Sequence, residues 1–509
     1  GRAAAPMGGA LHLVTKRTDE VTQLRPQKGS DRDDHNTARR LPARRGWKQP
    51  VVDFGLPLDQ DAQSRWNMCV VDASADDDDD VRSLFAEVVD VARRLQFLQL
   101  SVVHAERWRL PKSQTCNTML LQWYSILSAV TKEKKVALVS AARRVPQAER
   151  SLGSLVGMAV ADALGAPLEF LPATDMPDKR NRIDGLTFEL RGGRNKFKVK
   201  PGQWTDDTAM GLCLADSLLT CLAFDGSDLR IRFHNWWFRG YNNAFANDFR
   251  TGSVGLGGNV AKSLRAMEPG KWPCPTFKSR SEDAGNGSLM RLAPVPIFFD
   301  DPVEAARVSA QSSTTTHPGP IAAACCAFLG FAISRAINRD TATRDPVEFL
   351  DTVIEEFMKL DLPAGGCREL RRMLLSNEPP GKEECWNWRS RHLRIERALE
   401  ARGALYNGYA CSAGYFGSFC VDGLAVALHS FYHTSSFDEA VTRCVNFLGD
   451  ADTTGSICGQ LAGAFYGFQD INPKLIKRLS YWDDNGEIAC RAALLYAAGK
   501  KFRVPPGEV

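Results

Sequence analysis

From about residue 146 onward the chain reads as one helix after another, and this repetition limits the fold more than any other feature. Gly/Pro/Asp-rich junctions separate stretches dense in Ala, Gly, Ser and Cys, such as 322–333 and 423–432. Small side chains let helix backbones approach closely. Period-two alternation is nearly absent: 186–190 and 196–200 are the only plausible strands, and either could be a loop hairpin. The pattern predicts an all-α fold, a multi-helix bundle. With 44% apolar and 24% charged residues, the chain can bury a large core. The longest apolar run, 321–333, is shorter than the roughly 20 residues that span a bilayer. It reads as a core helix, and no membrane partner is expected.

Residues 1–80 lack this pattern. Within 1–50, eleven Lys/Arg stand against five Asp/Glu, and the stretch ends in Asp76-Asp77-Asp78-Asp79-Asp80. A solvated, disordered extension is expected there. In 81–98, Leu84, Phe85, Val88, Val91, Ala92 and Leu95 recur at helical spacing, and 119–130 makes a second amphipathic stretch. Residues 81–145 thus read as a short helical extension packed on a main domain at 146–500. A chain beginning near Ala141 is expected to fold and bind ligand. The charged segment 340–402 reads as an exposed insertion. The chain begins at Gly1, as a fragment or a processed form would, so the lack of a signal peptide there carries no information. A net charge of +4 gives no strong nucleic-acid signal. The fourteen cysteines show no CxxC spacing, which suggests reduced thiols, a cytoplasmic location and no zinc site. A monomer is expected.

Two acidic clusters carry the chemistry: Trp204-Thr205-Asp206-Asp207-Thr208 and Gly449-Asp450-Ala451-Asp452-Thr453-Thr454-Gly455. Each runs straight into an apolar, small-residue helix. Carboxylates suit a helix start, so ordinary acidic caps are one reading. One capping residue per helix suffices, however, and the surplus acids would repel one another. Four carboxylates and two hydroxyls are an all-oxygen set of the kind that selects a hard divalent cation. Mg2+ is the first candidate, as two ions, with Mn2+ an alternative.

Three further segments share the Gly/Asp/Ser texture: the helix-like run from Gly153 through Asp162 to Glu169 and Phe170, then Gly285-Asn286-Gly287-Ser288-Leu289-Met290-Arg291, then Thr316-His317-Pro318-Gly319-Pro320. With these five motifs in this order, the chain resembles the ADP-ribosylglycohydrolase family over roughly residues 146–500. The resemblance implies the all-α bundle of that type and removal of ADP-ribose from an ADP-ribosylated protein or ADP-ribose conjugate. It implies that Thr205, Asp206, Asp207, Asp450, Asp452 and Thr453 hold two metal ions, and that Glu169, on a loop over the site, transfers the proton. It places Gly285, Asn286, Gly287, Ser288 and His317 near the diphosphate, the less well matched loop Gly252 to Asn259 nearby, and Tyr415 in an aromatic adenosine pocket. Asp162, among Ala and Val on its helix, must find hydrogen-bond partners if buried and is expected to buttress the site. Its neighbour Ala161 stands where the family commonly has glycine. Two other readings share parts of this pattern. One is a non-catalytic ADP-ribose-binding or crystallin-like structural member, which loss of metal ligands would favour; all six are present. The other is a two-metal phosphohydrolase acting on a nucleotide, which leaves the Gly285 and Glu169 segments unexplained.

Overall fold

The computed structural model describes residues 125–177 and 196–501, apart from short breaks at 128–129, 246–247, 249, 251, 269–272, 280–283, 341, 361–366, 407–408, 411–414 and 485. The expected 1–80 extension, the helix over 81–98, most of the 119–130 stretch and the candidate strand 186–190 lie outside these residues. The rest is helical, as the pattern predicts. Proline, whose missing N–H costs nothing in a first turn, opens the helices beginning at Pro146, Pro302, Pro320, Pro346 and Pro473. Seven helices matter most here: α1 Lys132–Ala142, α2 Pro146–Gly165, α3 Asp206–Cys221, α4 Pro320–Ile337, α5 Cys420–Tyr432, α6 Ala451–Tyr466 and α7 Glu487–Lys501.

The centre of the bundle is the crossing of α2 with α6. Gly153, Gly157 and Gly165 face Gly463, Gly459 and Ala451 so closely that a Cβ built on Gly157 would lie 2.6 Å from the Gly459 carbonyl oxygen. Glycine is required because nothing larger fits between the two backbones. The crossing also fixes what lies near its far end, where Asp162 of α2 meets the first turn of α6. Pro146–Leu168 and Pro320–Ile337 are long and apolar enough to cross a membrane, yet 100% and 78% of their apolar windows are buried within the bundle. They are core helices.

Residues 196–200 form a turn and irregular chain rather than a strand. The described strands are instead Leu405–Tyr406 and Tyr409–Ala410, paired antiparallel. The 340–402 segment is also not the exposed insertion its charge suggests. Trp386 and Trp388 are fully buried, and their indole N–H groups donate to Asp422 Oδ1 (2.8 Å) and the Met373 carbonyl (2.9 Å). Buried Arg402 pairs with Asp422 of α5 at 2.6 Å. Burying two indoles outweighs the segment's charge density, because charges such as Arg368, Arg371, Arg391 and Arg394 stay on the outside.

The short helix α1 is tied to the bundle by charge. Lys135, 3% exposed, meets Glu487 of α7 at 2.6 Å. Arg491 then joins Glu487 (3.4 Å), Asp216 of α3 (2.7 Å) and the Ser125 hydroxyl (2.8 Å). A fully buried guanidinium is tolerable only when partnered in this way.

Candidate active site

Helices α3 and α6 aim their N-termini at one point. Thr205 and Asp450 occupy the N-cap positions, yet neither side chain makes the capping hydrogen bond. That excludes the ordinary-cap reading. The Thr205 hydroxyl donates to Asp162 Oδ1 (2.8 Å) and lies 3.1 Å from Asp207 Oδ2 and 3.4 Å from Asp452 Oδ2. Asp450 Oδ2 accepts from the Asn286 amide at 2.7 Å. The freed polar groups point at one another, and the positive ends of both helix dipoles favour the negative charge collected there.

Asp162 is the buttress. It accepts from the backbone N–H and hydroxyl of both Thr205 and Thr208, at 2.6–3.1 Å. Two carboxylate oxygens have about four lone-pair sites, so this set saturates it. Asp162 lies close enough to Asp207 and Asp452 to count geometrically as a third cation ligand, but its lone pairs are spent on the threonines. Burial pushes its pKa up to about 6 against the pull of those hydrogen bonds.

The carboxylates left over form two overlapping groups. Asp207 and Asp452 converge on one side, Glu169, Asp450 and Asp452 on the other, with ligand atoms within 4.8 Å of one another. Asp452 belongs to both. All are buried. Among the described residues none of them has an ion-pair partner, and Glu169 Oε2 and Asp207 Oδ1 have no hydrogen-bond partner at all. Burial first, and then mutual repulsion, hold Asp206, Asp207, Asp452 and Glu169 well above the ordinary carboxylate range. Such a cluster is unfavourable unless protons or cations neutralise it. The donor set is all oxygen, buried and lacking an internal counter-charge, so it fits hard divalent cations.

Loops complete the wall. Beyond α2, a single 3-10 turn, Ala166–Leu168, delivers Glu169. The loop is not free: Phe170 N–H donates to the Gly449 carbonyl, Gly449 N–H to the Leu171 carbonyl (both 2.9 Å), and Thr174 N–H to the Phe447 carbonyl (3.1 Å). The Glu169 loop is thereby zipped to the turn that delivers Asp450. The Tyr415 hydroxyl donates to Glu169 Oε1 at 3.3 Å, and its ring stacks on Phe170 with centroids 5.4 Å apart. Gly255, at φ 86°, lies directly against the Asp206 carboxylate, so the loosely matched 252–259 loop does reach the cluster.

Asn286 holds the Gly417 carbonyl (2.9 Å) as well as Asp450, and its own N–H donates to the Ser418 carbonyl. Ser288 turns away: its hydroxyl accepts from Ser313 (2.9 Å) and lies 3.3 Å from the Cys326 thiol in the core. His317 packs beneath the loop; a Cβ on Gly287 would sit 2.9 Å from its Cε1. Burial, with Arg291 and Lys262 nearby, keeps its imidazole neutral. Thr453 sits beside Asp452, its N–H on Asp452 Oδ1 (2.8 Å). Sequence reasoning includes Phe170, Gly255 and Arg291 in its motifs but gives them no role of their own; the guanidinium of buried Arg291 braces the Gly287 carbonyl (2.8 Å) and Thr316 hydroxyl (2.7 Å). A buried arginine after a Gly-rich turn was the available signal for the last.

The described residues thus form an all-α bundle with a buried, all-oxygen carboxylate cluster between two helix N-termini. The family model described as ADP-ribosylglycohydrolase matches residues 143–501, and the chain belongs to that family. It is 29% identical over 341 residues to an ADP-ribosylarginine hydrolase of Serratia proteamaculans (strain 568), covering 66% of this chain and 77% of the relative. It is 27% identical over 333 residues to the ADP-ribosyl-dinitrogen reductase glycohydrolase of Rhodospirillum rubrum (65% and 90% covered). An ADP-ribosylhydrolase of Gallus gallus is 24% identical over 356 residues (66% and 90% covered).

Proposed function

We propose that this chain removes ADP-ribose from a modified acceptor by cleaving the glycosidic bond at the anomeric carbon of the distal ribose, with two divalent cations bound. The observation that carries this reading is the buried carboxylate cluster without counter-charge, within the residues the family model matches. Thr205, Asp206, Asp207, Asp450, Asp452 and Thr453 would hold the ions, Mg2+ with Mn2+ as substitute, and Asp162 would fix Thr205 from behind. When bound, such a pair supplies Lewis acidity and a chelating point for the vicinal 2- and 3-hydroxyls of a ribose.

Glu169 moves the proton. Its Oε2 is buried and unpartnered, and its carboxyl groups with Asp450 and Asp452. It takes a proton from the attacking water or gives one to the departing acceptor atom. Water adds to the anomeric carbon, the bond to the acceptor breaks, and the acceptor leaves protonated. Gly285 and Gly287 offer a backbone surface for the diphosphate, braced by His317 and Arg291. Tyr415 bonds Glu169, so we assign it to the wall beside the reacting carbon rather than to an adenosine pocket. The similarity to an ADP-ribosylarginine hydrolase makes arginine-linked conjugates the first acceptor class to assay. Purified chain should release ADP-ribose from an arginine-, serine- or otherwise linked peptide with Mg2+ present, and EDTA should abolish release. Equal turnover after complete metal removal contradicts the cation requirement; no release from any linkage contradicts the activity.

A further inference from the structure

Lys196 enters none of the roles above, yet its ammonium nitrogen stands 3.6 Å from the centroid of the Phe170 ring. Phe197 packs edge-on against the same ring, with centroids 5.5 Å apart. Phe170 follows Glu169 directly, holds φ 69° and leaves 38% of its surface exposed. A bulky side chain is disfavoured at positive φ, and an exposed one has little burial to hold it in place. Neighbouring groups hold it instead: the parallel stack on Tyr415, with an interplanar angle of 11°, the edge of Phe197, and the Lys196 cation. The Tyr415 hydroxyl in turn reaches Glu169 Oε1 at 3.3 Å. A continuous chain of contacts therefore begins at a surface ammonium and ends on the carboxyl proposed to move the proton.

We infer that Lys196 is a positioning residue for Glu169, acting through Phe170 and Tyr415. The backbone pairing with Gly449 fixes the main chain of this loop. The side-chain torsions of Glu169 remain to be set, and with Oε2 unpartnered the Tyr415 hydroxyl is a direct restraint on Oε1. Loosening Phe170 loosens Tyr415, and Glu169 then samples rotamers away from the cluster. Because Lys196 stands three contacts from the Glu169 carboxyl, it affects how often Glu169 is placed, not how tightly substrate binds. The inference rests on the proposed function in one respect, the role of Glu169.

The test measures kcat and KM at saturating Mg2+ on the best-cleaved peptide conjugate, for the full chain and for Lys196→Met, Lys196→Arg, Phe170→Leu and the Lys196→Met/Phe170→Leu pair. Lys196→Met should lower kcat about two- to fivefold, the size of an exposed cation–π contact, with KM unchanged. Lys196→Arg should restore kcat, since a guanidinium also sits over an aromatic face. In the Phe170→Leu background Lys196→Met should have no further effect. A full kcat in Lys196→Met, a raised KM with kcat intact, or the same loss in both backgrounds overturns the inference. A readout free of catalysis separates this from failure of the proposed function. With 3-fluorotyrosine incorporated, Lys196→Met should shift the Tyr415 fluorine resonance and Lys196→Arg should not; an unmoved Tyr415 resonance in Lys196→Met overturns the inference even if the chain cleaves no conjugate.

Discussion

Replacing Gly157 by alanine tests whether the α2–α6 crossing sets the site. On an ordinary helix this change stabilises, because alanine exceeds glycine in helix propensity by about 1 kcal/mol. Here the new methyl carbon would lie 2.6 Å from the Gly459 carbonyl oxygen and 2.8 Å from Phe437 Cε2. Carbon–oxygen contacts settle at about 3.3 Å or more, so the helices must separate by about 0.7 Å. One neighbour is backbone and the other a buried ring, so neither yields as a flexible side chain would. Overpacking of this kind costs up to about 3 kcal/mol. Set against the propensity gain, the net loss is about 2 kcal/mol, or roughly 4 °C in melting temperature for a large domain. The separation also moves Asp162 away from the first turn of α6, so Mg2+ should bind more weakly. Differential scanning calorimetry with and without Mg2+ reads both effects. A Gly157→Ala chain that melts higher and binds Mg2+ normally would refute the reasoning.

Asp452→Ala should abolish nearly all turnover and much of the metal affinity, yet leave the metal-free chain as stable as before or more so, because one buried repelling carboxylate is gone; wild-type turnover at low micromolar Mg2+ would count against it. His429 Nδ1–H donates to the Trp388 carbonyl (2.9 Å), its Nε2 accepts from Arg443 (3.2 Å), and burial lowers its pKa from 6.5 to about 3. The unfolded chain therefore binds a proton that the folded chain refuses, so stability is full above pH 6.5 and falls on acidification towards pH 3. At pH 4.5 the loss from this group is about 3 kcal/mol, and denaturant titrations of the chain and of His429→Asn at pH 7 and 4.5 should differ by that amount. Lys135→Met leaves buried Glu487 to Arg491 alone and should destabilise by about 3 kcal/mol, measurable as a lower urea midpoint. By the same reasoning a chain beginning at Ala141, which loses both Lys135 and Ser125, should be less stable than one beginning before Ser125.

The parts of this structure legible in the sequence are those set by local pattern. Gly153, Gly157, Gly459 and Gly463 sit one helical turn apart on their helices, and the crossing follows from their lack of side chains. The surplus acids at Thr205–Asp207 and Asp450–Asp452 already argued against simple capping. Asp162, surrounded by small apolar residues, announced its need for partners. What was not legible depends on chain segments that meet only in space. Phe170 and Lys196 are separated by a junction whose course no periodicity records. The pairing of the Glu169 loop with Gly449 uses backbone groups, which every residue carries alike. In 340–402 the charges hid Trp386 and Trp388, because composition averages an outer face with the inner one. At Ser288 the side chain is spent elsewhere, its hydroxyl taken by Ser313 and Cys326, which leaves only the backbone to face a ligand.

Counting bound metal against activity tests the central claim most directly. Metal-stripped chain titrated with Mn2+, followed by the loss of free-ion signal in electron paramagnetic resonance, should bind two ions per chain, and the same sample should regain release of ADP-ribose from a conjugated peptide as the sites fill. The Asp452→Ala chain should bind one ion or none and stay inactive. Release of ADP-ribose by chain that binds no Mn2+, or full binding undisturbed by Asp452→Ala, would contradict a carboxylate-held two-metal centre.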